Sequence, residues 1–289
     1  MRDVAVIGPG RVGGSLAIAL RRRGDRVRSV AGRDGSASLT AFTRVVPDVE
    51  VRPLTDVADG ADLVLVCIPD DVIEVTARRV VAAEGVGEGQ RWVHTSGGHG
   101  VGVLSSVAAA GGRVAACHPA MTFPDPVTGA DNLRGASWAV TADDVDLTWA
   151  RQLVVDLDGA PATVRDVDRT LYHAALAVGS NATTAVVTMA RDLLLGAGIE
   201  DPAAFLGPLV TASATGGASR GVEALTGPVR RGDAGTVAAH LDELGVSFPE
   251  VVDTYIALAD LVLVHAVRAG LDPDRADTVR RALDRRRAG

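Results

Sequence analysis

The sequence predicts an α/β protein: a doubly wound parallel sheet over residues 1–164, followed by an all-α domain over residues 165–289. Three observations carry this reading. A glycine-rich turn separates an apolar run from a helical pattern at the very start, "DVAVIGPGRVGGSLAIALRRRG". Near-continuous apolar runs, as strands buried on both faces require, alternate with helical stretches through the first half. From Arg169 onward no strand pattern occurs.

The first turn is the most specific element. Gly8, Gly10 and Gly13 form G-x-G-x-x-G after a strand and before an amphipathic helix, the setting of the dinucleotide-binding Rossmann fingerprint. Gly8 permits the tight turn, Gly10 lets backbone approach a pyrophosphate, and Gly13 lets helix and strand pack closely. Free N–H groups at the helix start attract the anion. Gly8, Pro9, Gly10, Arg11, Val12 and Gly13 are therefore cofactor-binding candidates.

The second strand should end near Ala31, where an Asp or Glu would select NAD through the ribose 2′-hydroxyl. Here Gly32 and Arg33 follow, with Arg11 in the glycine turn. Two guanidiniums suit a 2′-phosphate, so NADP(H) is expected over NAD(H). The plainer alternative is that Arg33 opens a solvated loop. "ADLVLVCIPDDVI", ending in Ile68–Pro69–Asp70, then "RWVHTSG" and "GRVAACHP", read as further strands. Ligands bind beyond the carboxyl ends of such strands. That places Pro69, Asp70, His94, Thr95, Ser96, Gly97 and His118 at the nicotinamide end, with Ile68, Pro69, Thr95 and Ser96 as cofactor contacts. His94, His99 and His118 match no metal-ligand spacing and read as strand-end hydrogen-bonding groups; no metal is expected.

Composition narrows the class. The 289 residues are 47% hydrophobic with a net charge of -7, enough for a large core and more than one domain. The acidic balance argues against nucleic-acid binding, which needs clustered cations. Basic runs at residues 21–23 and 285–287 read as solvated. "YIALADLVLVHAV" is broken by Asp260 and His265 and is too short to span a bilayer. The N-terminus enters a strand directly, so a soluble, cytoplasmic protein is expected. Cys67 and Cys117 read as small core residues. All 29 Lys+Arg residues are arginine, which excludes any mechanism based on a lysine ammonium.

After a last strand, "GASWAVTA", and one more helix and short strand, helical segments are predicted over about 169–198, 202–219, 233–245, 248–269 and 273–286. At about 100° per residue, Arg169, His173, Ser180 and Thr184 fall in a stripe roughly 60° wide, with Asn181 about 60° beyond it. Leu171, Ala175, Val178 and Ala182 form the opposite, apolar face. Polar residues gathered on one side of a long apolar helix suit an interdomain cleft; the plainer alternative is a stripe that faces solvent. In "LTGPVRRGD", Thr226, Gly227 and Pro228 make a turn before Arg230, Arg231 and Asp233. Arg230 suits a substrate carboxylate; equally, Asp233 caps the next helix while the arginines face water.

Together "VAVIGPGRVGGSLAIAL", "HTSG", "HPAMTF", "LYHAALAVGSN" and "LTGPVRRGD" resemble a group that joins a Rossmann-like domain to a helical domain of unknown function (DUF2520). The group lies within the 6-phosphogluconate dehydrogenase C-terminal-like superfamily, and the resemblance covers essentially the whole chain. It implies an NAD(P)-dependent reductase related to ketopantoate and pyrroline-5-carboxylate reductases. Ketopantoate reductases carry a catalytic lysine on the first helix after the Rossmann domain, with asparagines four and eight residues on. That pattern puts His173 at the lysine, Ala177 at the first asparagine and Asn181 at the second. "AVGSNATTAVV" also resembles the small-residue run and long helix of pyrroline-5-carboxylate reductases.

The resulting expectation is an NADPH-dependent reductase of a small oxo acid, with 2-dehydropantoate favoured. With lysine absent, His173 is the expected proton donor and Tyr172 the alternative. Ser180 and Asn181 would orient the substrate, and Arg230 or Arg169, with Thr226 and His118, would bind it. Two alternatives stay open: an imine or pyrroline carboxylate reductase, and a non-catalytic NADP-binding sensor. The apolar helices, 248–269 above all, lead us to expect a homodimer.

Overall fold

The computed structural model describes residues 1–287; the last two residues of the expected helical domain, and the side chain of Arg287 in the second basic run, lie outside the described residues. β1 (Asp3–Ile7) and β2 (Arg26–Ala31) flank α1 (Arg11–Arg22). α2 (Ala37–Val45) leads to the two-residue β3 (Glu50–Val51), and β4 (Leu63–Val66) leads to α3 (Ile73–Ala82). β5 (Arg91–His94), α4 (Ser105–Ala109) and β6 (Arg113–Pro119) follow. α5 (Pro126–Asn132), β7 (Ser137–Thr141), α6 (Asp144–Asp156) and β8 (Ala160–Thr163) complete the α/β part.

The strands form one sheet in the order β3-β2-β1-β4-β5-β6-β7-β8. β1 to β6 are parallel, as the apolar runs require. The wholly parallel expectation is corrected at the far edge: β7 pairs antiparallel with β6, and β8 runs parallel to β7. α5 rises only about 10 Å at 1.5 Å per residue, less than half the length of β6. It does not return the chain across the sheet, so β7 starts from the edge at which β6 ended.

Side chains along β1 alternate between the two faces of the sheet, and both faces are buried. Val4 and Val6 join Leu16, Leu20, Phe42, Trp138 and Trp149 on one face of the sheet. Ala5 and Ile7 join Ile73, Val80, Trp92, Leu104 and Val107 on the other. Both cysteines are free thiols, Cys117 buried and Cys67 partly so, and burial pushes each thiol up to about 12. The first basic run is not merely solvated: Arg21, Arg22 and Arg23 pair with Asp48, Asp131 and Asp158 at 2.7, 2.7 and 2.9 Å.

The remaining elements are helical: α7 (Arg169–Ala177), a π turn (Val178–Ala182), α8 (Thr183–Gly196), α9 (Pro202–Arg220), α10 (Pro228–Arg231), α11 (Ala234–Ser247), α12 (Val252–Arg268) and α13 (Pro273–Arg287). Asp201 caps α9 and Asp233 caps α11 through backbone N–H groups. Val237, Leu241, Ile256, Leu263, Val279 and Leu283 form a separate helical core. The chain divides into compact units at Gly179/Ser180, fifteen residues beyond the change from strands to helices at 164. α7 belongs to the first unit because Arg169, described below, ties it to the sheet. Among the described residues, no helix is long and apolar enough to cross a membrane.

Candidate active site

The glycine turn has the three properties its spacing predicts. Gly8 holds φ +89°, and a Cβ there would lie 2.5 Å from the Cys67 carbonyl oxygen, so no larger residue fits. A Cβ on Gly13 would meet the Gly8 carbonyl oxygen, which keeps α1 close against β1. Around Gly10 nothing lies within 4 Å of such a Cβ. Gly10 is also the N-cap of α1, whose first turn carries no acid and whose N–H groups receive no side-chain cap. An open glycine at an uncapped helix start fits a pyrophosphate, by backbone approach and by the helix dipole. Gly32 packs beside Pro9, with a Cβ there 3.1 Å from the ring. Arg11 and Arg33 are exposed, and neither guanidinium donates a hydrogen bond among the described residues. Both therefore remain free to meet a phosphate.

At the carboxyl ends of β4 and β5 the polar residues bind one another. The Ser96 hydroxyl donates to Asp70 Oδ2 at 2.7 Å and accepts from the His99 N–H at 3.1 Å. His94 is fully buried; its Nε2 donates to the Gly100 carbonyl at 2.9 Å while Nδ1 accepts from the Ser96 N–H at 3.2 Å. Burial pushes its pKa down to about 4, so the ring stays neutral and fastens both ends of the Ser96–Gly100 loop. His94 is thus a strand-end hydrogen-bonding residue. Among the described residues, no group of three His, Cys, Asp or Glu side chains is placed to hold a metal.

The expectation that Arg169 binds substrate is corrected. Its side chain is only 1% exposed. Nε donates to Thr141 Oγ1 at 2.8 Å, Nη1 to the Ser96 carbonyl at 3.0 Å, and Nη2 to the Ala116 and Ala139 carbonyls at 2.7 and 3.1 Å. Four of its five N–H groups are bound to protein. This arginine is a bolt between α7 and the ends of β5, β6 and β7, not a carboxylate ligand.

One turn along α7, that bolt places two candidates beside Gly97 and Gly98. The Tyr172 hydroxyl shares a 2.8 Å hydrogen bond with His118 Nδ1, their rings edge to face with centroids 5.7 Å apart. The His173 ring lies edge to face with His118 at 6.0 Å. A Cβ on Gly97 would sit 2.6 Å from His173 Cδ2 and 3.0 Å from His118 Nε2, so only glycine leaves room for both rings. His118 is pushed down to about 4 by burial, then by the Arg169 and His173 charges, and stays neutral. Burial raises the Tyr172 hydroxyl against the opposing pull of Arg169, which keeps it protonated. The arrangement is a neutral imidazole, a phenol and an exposed second imidazole gathered at the carboxyl edge of the sheet.

The structure brings Tyr172, His173 and His118 together around Gly97. The His118–Tyr172 bond was hidden from the sequence because its partners lie 54 positions apart. Ser180 and Asn181 are exposed and sit in the π turn, where the 100° reckoning of the predicted stripe breaks down. They belong to the second unit with Thr226, which is exposed, and Arg230, whose Nη2 donates to the Ala269 carbonyl at 3.0 Å.

Residues 2–119 match the Rossmann-like domain, and residues 136–262 match the domain of unknown function DUF2520. No curated protein matches the chain. Among solved structures, a candidate NADP oxidoreductase of Bacteroides fragilis is 23% identical with a TM-score of 0.77, over 90% of this chain and 97% of its own. An Aspergillus terreus reductive aminase in complex with NADPH and ethyl levulinate is 16% identical with a TM-score of 0.60, over 99% and 93%. An imine reductase of the same organism, in complex with NADPH4 and a dibenzazepine, is 18% identical with a TM-score of 0.62, over 96% and 98%. These likenesses establish the fold. The chain joins a Rossmann-like domain to a DUF2520 domain.

Proposed function

We propose that the chain is an NADPH-dependent oxidoreductase that reduces a small oxo acid, with 2-dehydropantoate as the first candidate. One observation carries the reading: the open Gly10 cradle and the His118–Tyr172–His173 cluster lie at the carboxyl ends of strands of one sheet. That edge is where doubly wound sheets bind ligands.

Gly8, Pro9, Gly10, Val12 and Gly13 would hold the pyrophosphate, and Arg11 and Arg33, beside Gly32, the 2′-phosphate. Ile68, Pro69, Thr95 and Ser96 would line the nicotinamide end. A coenzyme held there would supply a hydride equivalent. His173 would protonate the substrate oxygen as negative charge grows on it, as an exposed ring beside His118 and Tyr172. Tyr172 is the alternative donor, held by neutral His118. On the helical unit, Ser180, Asn181, Thr226 and Arg230 remain the candidates for binding the substrate's polar atoms and carboxylate. A second copy of the chain would cover α8 and α9.

Fold likeness to an imine reductase favours a second reading, reduction of a cyclic imine. The test is nicotinamide absorbance with NADPH and, in parallel, NADH, against a panel of 2-oxo acids and cyclic imines. Turnover on 2-dehydropantoate supports the first reading, and turnover on imines alone supports the second. Tight NADPH binding with no turnover on any compound would mark a non-catalytic sensor. His173→Ala should lower kcat by about a hundredfold or more while NADPH affinity stays within about threefold. Equal losses in both would remove His173 from the chemistry.

A further inference from the structure

The helical unit contains a cavity that the proposed chemistry does not explain. It is open, about 890 Å³ in volume, and its wall includes Thr226, Arg230, Arg231, Asp233, Asp272 and Arg275. The loop that forms it is specifically shaped. Gly227 holds φ +99° and ψ 179°, a region restricted to glycine, and Gly232 is left-handed at φ +69°. Between them Val229 is buried in the helical core and anchors the turn. Gly232 is buried beneath Arg275: a Cβ there would lie 2.6 Å from Arg275 Cβ, so the loop and the arginine stem fit only with glycine.

The charges differ in their commitments. Arg230 donates to the Ala269 carbonyl and braces the wall. Asp233 receives the Thr236 N–H and hydroxyl at 3.0 and 2.7 Å, and those bonds, then the Arg231 and Arg275 charges, hold its carboxyl below its usual range. Asp272 receives the N–H groups of Asp274 and Arg275, both at 3.1 Å. Both acids are thus engaged as helix caps. Arg231 and Arg275 are exposed, and neither guanidinium donates a hydrogen bond among the described residues. Two guanidiniums on a preformed wall, coupled to Asp233 only through space and with their donors unbound, carry the forked donors that bind planar or tetrahedral oxyanions.

We infer that this cavity is an oxyanion-binding site, in which Arg231 and Arg275 grip a carboxylate or phosphate group of a small molecule while Arg230 braces the wall. The inference goes beyond the proposed function and stands on binding alone. The Thr226 hydroxyl provides a further donor on the same wall.

The full-length protein is titrated calorimetrically with malonate and with inorganic phosphate at constant ionic strength, without coenzyme. Saturable binding of at least one probe is expected, and the stronger one identifies the group as carboxylate or phosphate. Arg231→Ala/Arg275→Ala should weaken binding at least about tenfold, the loss expected for charge-assisted hydrogen bonds. It should leave the urea-unfolding midpoint and NADPH affinity unchanged. Arg281→Ala/Arg285→Ala removes the same charge from elsewhere on α13 and should leave binding intact. No saturable binding of either probe, or equal weakening by the two double variants, overturns the site. Anion binding in a protein that does not bind NADPH would overturn the proposed function and leave this inference standing.

Discussion

His94 and His118 pose the same question about acid. Each is held neutral by burial, with its pKa pushed down to about 4, whereas an imidazole in the unfolded chain titrates near 6.5. Between those values the unfolded chain binds more protons. The stability contributed by the neutral rings is therefore complete above about pH 6.5 and is lost as pH falls toward 4. At pH 5 the loss is at most about 2 kcal/mol per ring. Carboxylates act lower on the scale: Asp25, held below its usual value by its bonds to Arg2 despite burial, loses its contribution only under stronger acid. Urea unfolding at pH 7.5, 6 and 5 should show a falling midpoint. The fall should shrink in His94→Gln when each series is scaled to its own value at pH 7.5. A midpoint constant from pH 7.5 to 5 would mean that neither ring resists protonation.

At the scale of elements, Arg169 decides where α7 sits. It reaches one side-chain and three backbone acceptors around the ends of β5, β6 and β7. Arg169→Met keeps the apolar stem and removes every donor, leaving buried carbonyls unsatisfied. The expected destabilisation is about 3 kcal/mol or more, read by urea unfolding. The His118–Tyr172 bond should be lost with it, since α7 is then untethered. A stable variant with unchanged turnover would show that helix packing alone positions α7. Nothing in the sequence marks this role, because an arginine opening an apolar helix looks like any solvated N-terminal residue. The glycine turn, by contrast, was legible: its constraints act within a few residues of each other, so spacing alone expresses them. The helical segments were legible because glycine and proline, Gly198, Pro202, Pro249 and Pro273 among them, stand at their ends. The reversal at β7 was not, since it follows from the shortness of α5 and not from the apolar pattern of β7 itself. The π turn was equally silent, because apolar periodicity does not record one extra residue per turn. Tyr172 and His173 could be named from their chemistry, but their meeting with His118 needed the fold.

At the scale of the whole molecule, α8 and α9 lack a buried face. No residue of α8 is buried, and only Pro202 and Gly216 are buried in α9, yet both helices are rich in apolar residues. Phe205 is 59% and Leu209 62% exposed. Helices draw most of their stability from tertiary packing, so a pair left this bare needs a covering surface. A second copy of the same chain supplies an apolar face of matching length, and closed twofold pairing is the commonest way to cover one. An obligate interface of this kind buries roughly 2,000 Å² or more. Sedimentation velocity at micromolar concentration should therefore give twice the mass of the chain, and the thermal midpoint should rise with protein concentration. Phe205→Asp/Leu209→Asp should shift the sedimenting species to single chains, or unfold α8 and α9 while the Rossmann-like domain keeps its Gly10 cradle and binds NADPH. A wild-type protein that sediments as a single chain at every concentration, with a concentration-independent midpoint, would remove the second copy and leave those two helices to be covered by something other than this chain.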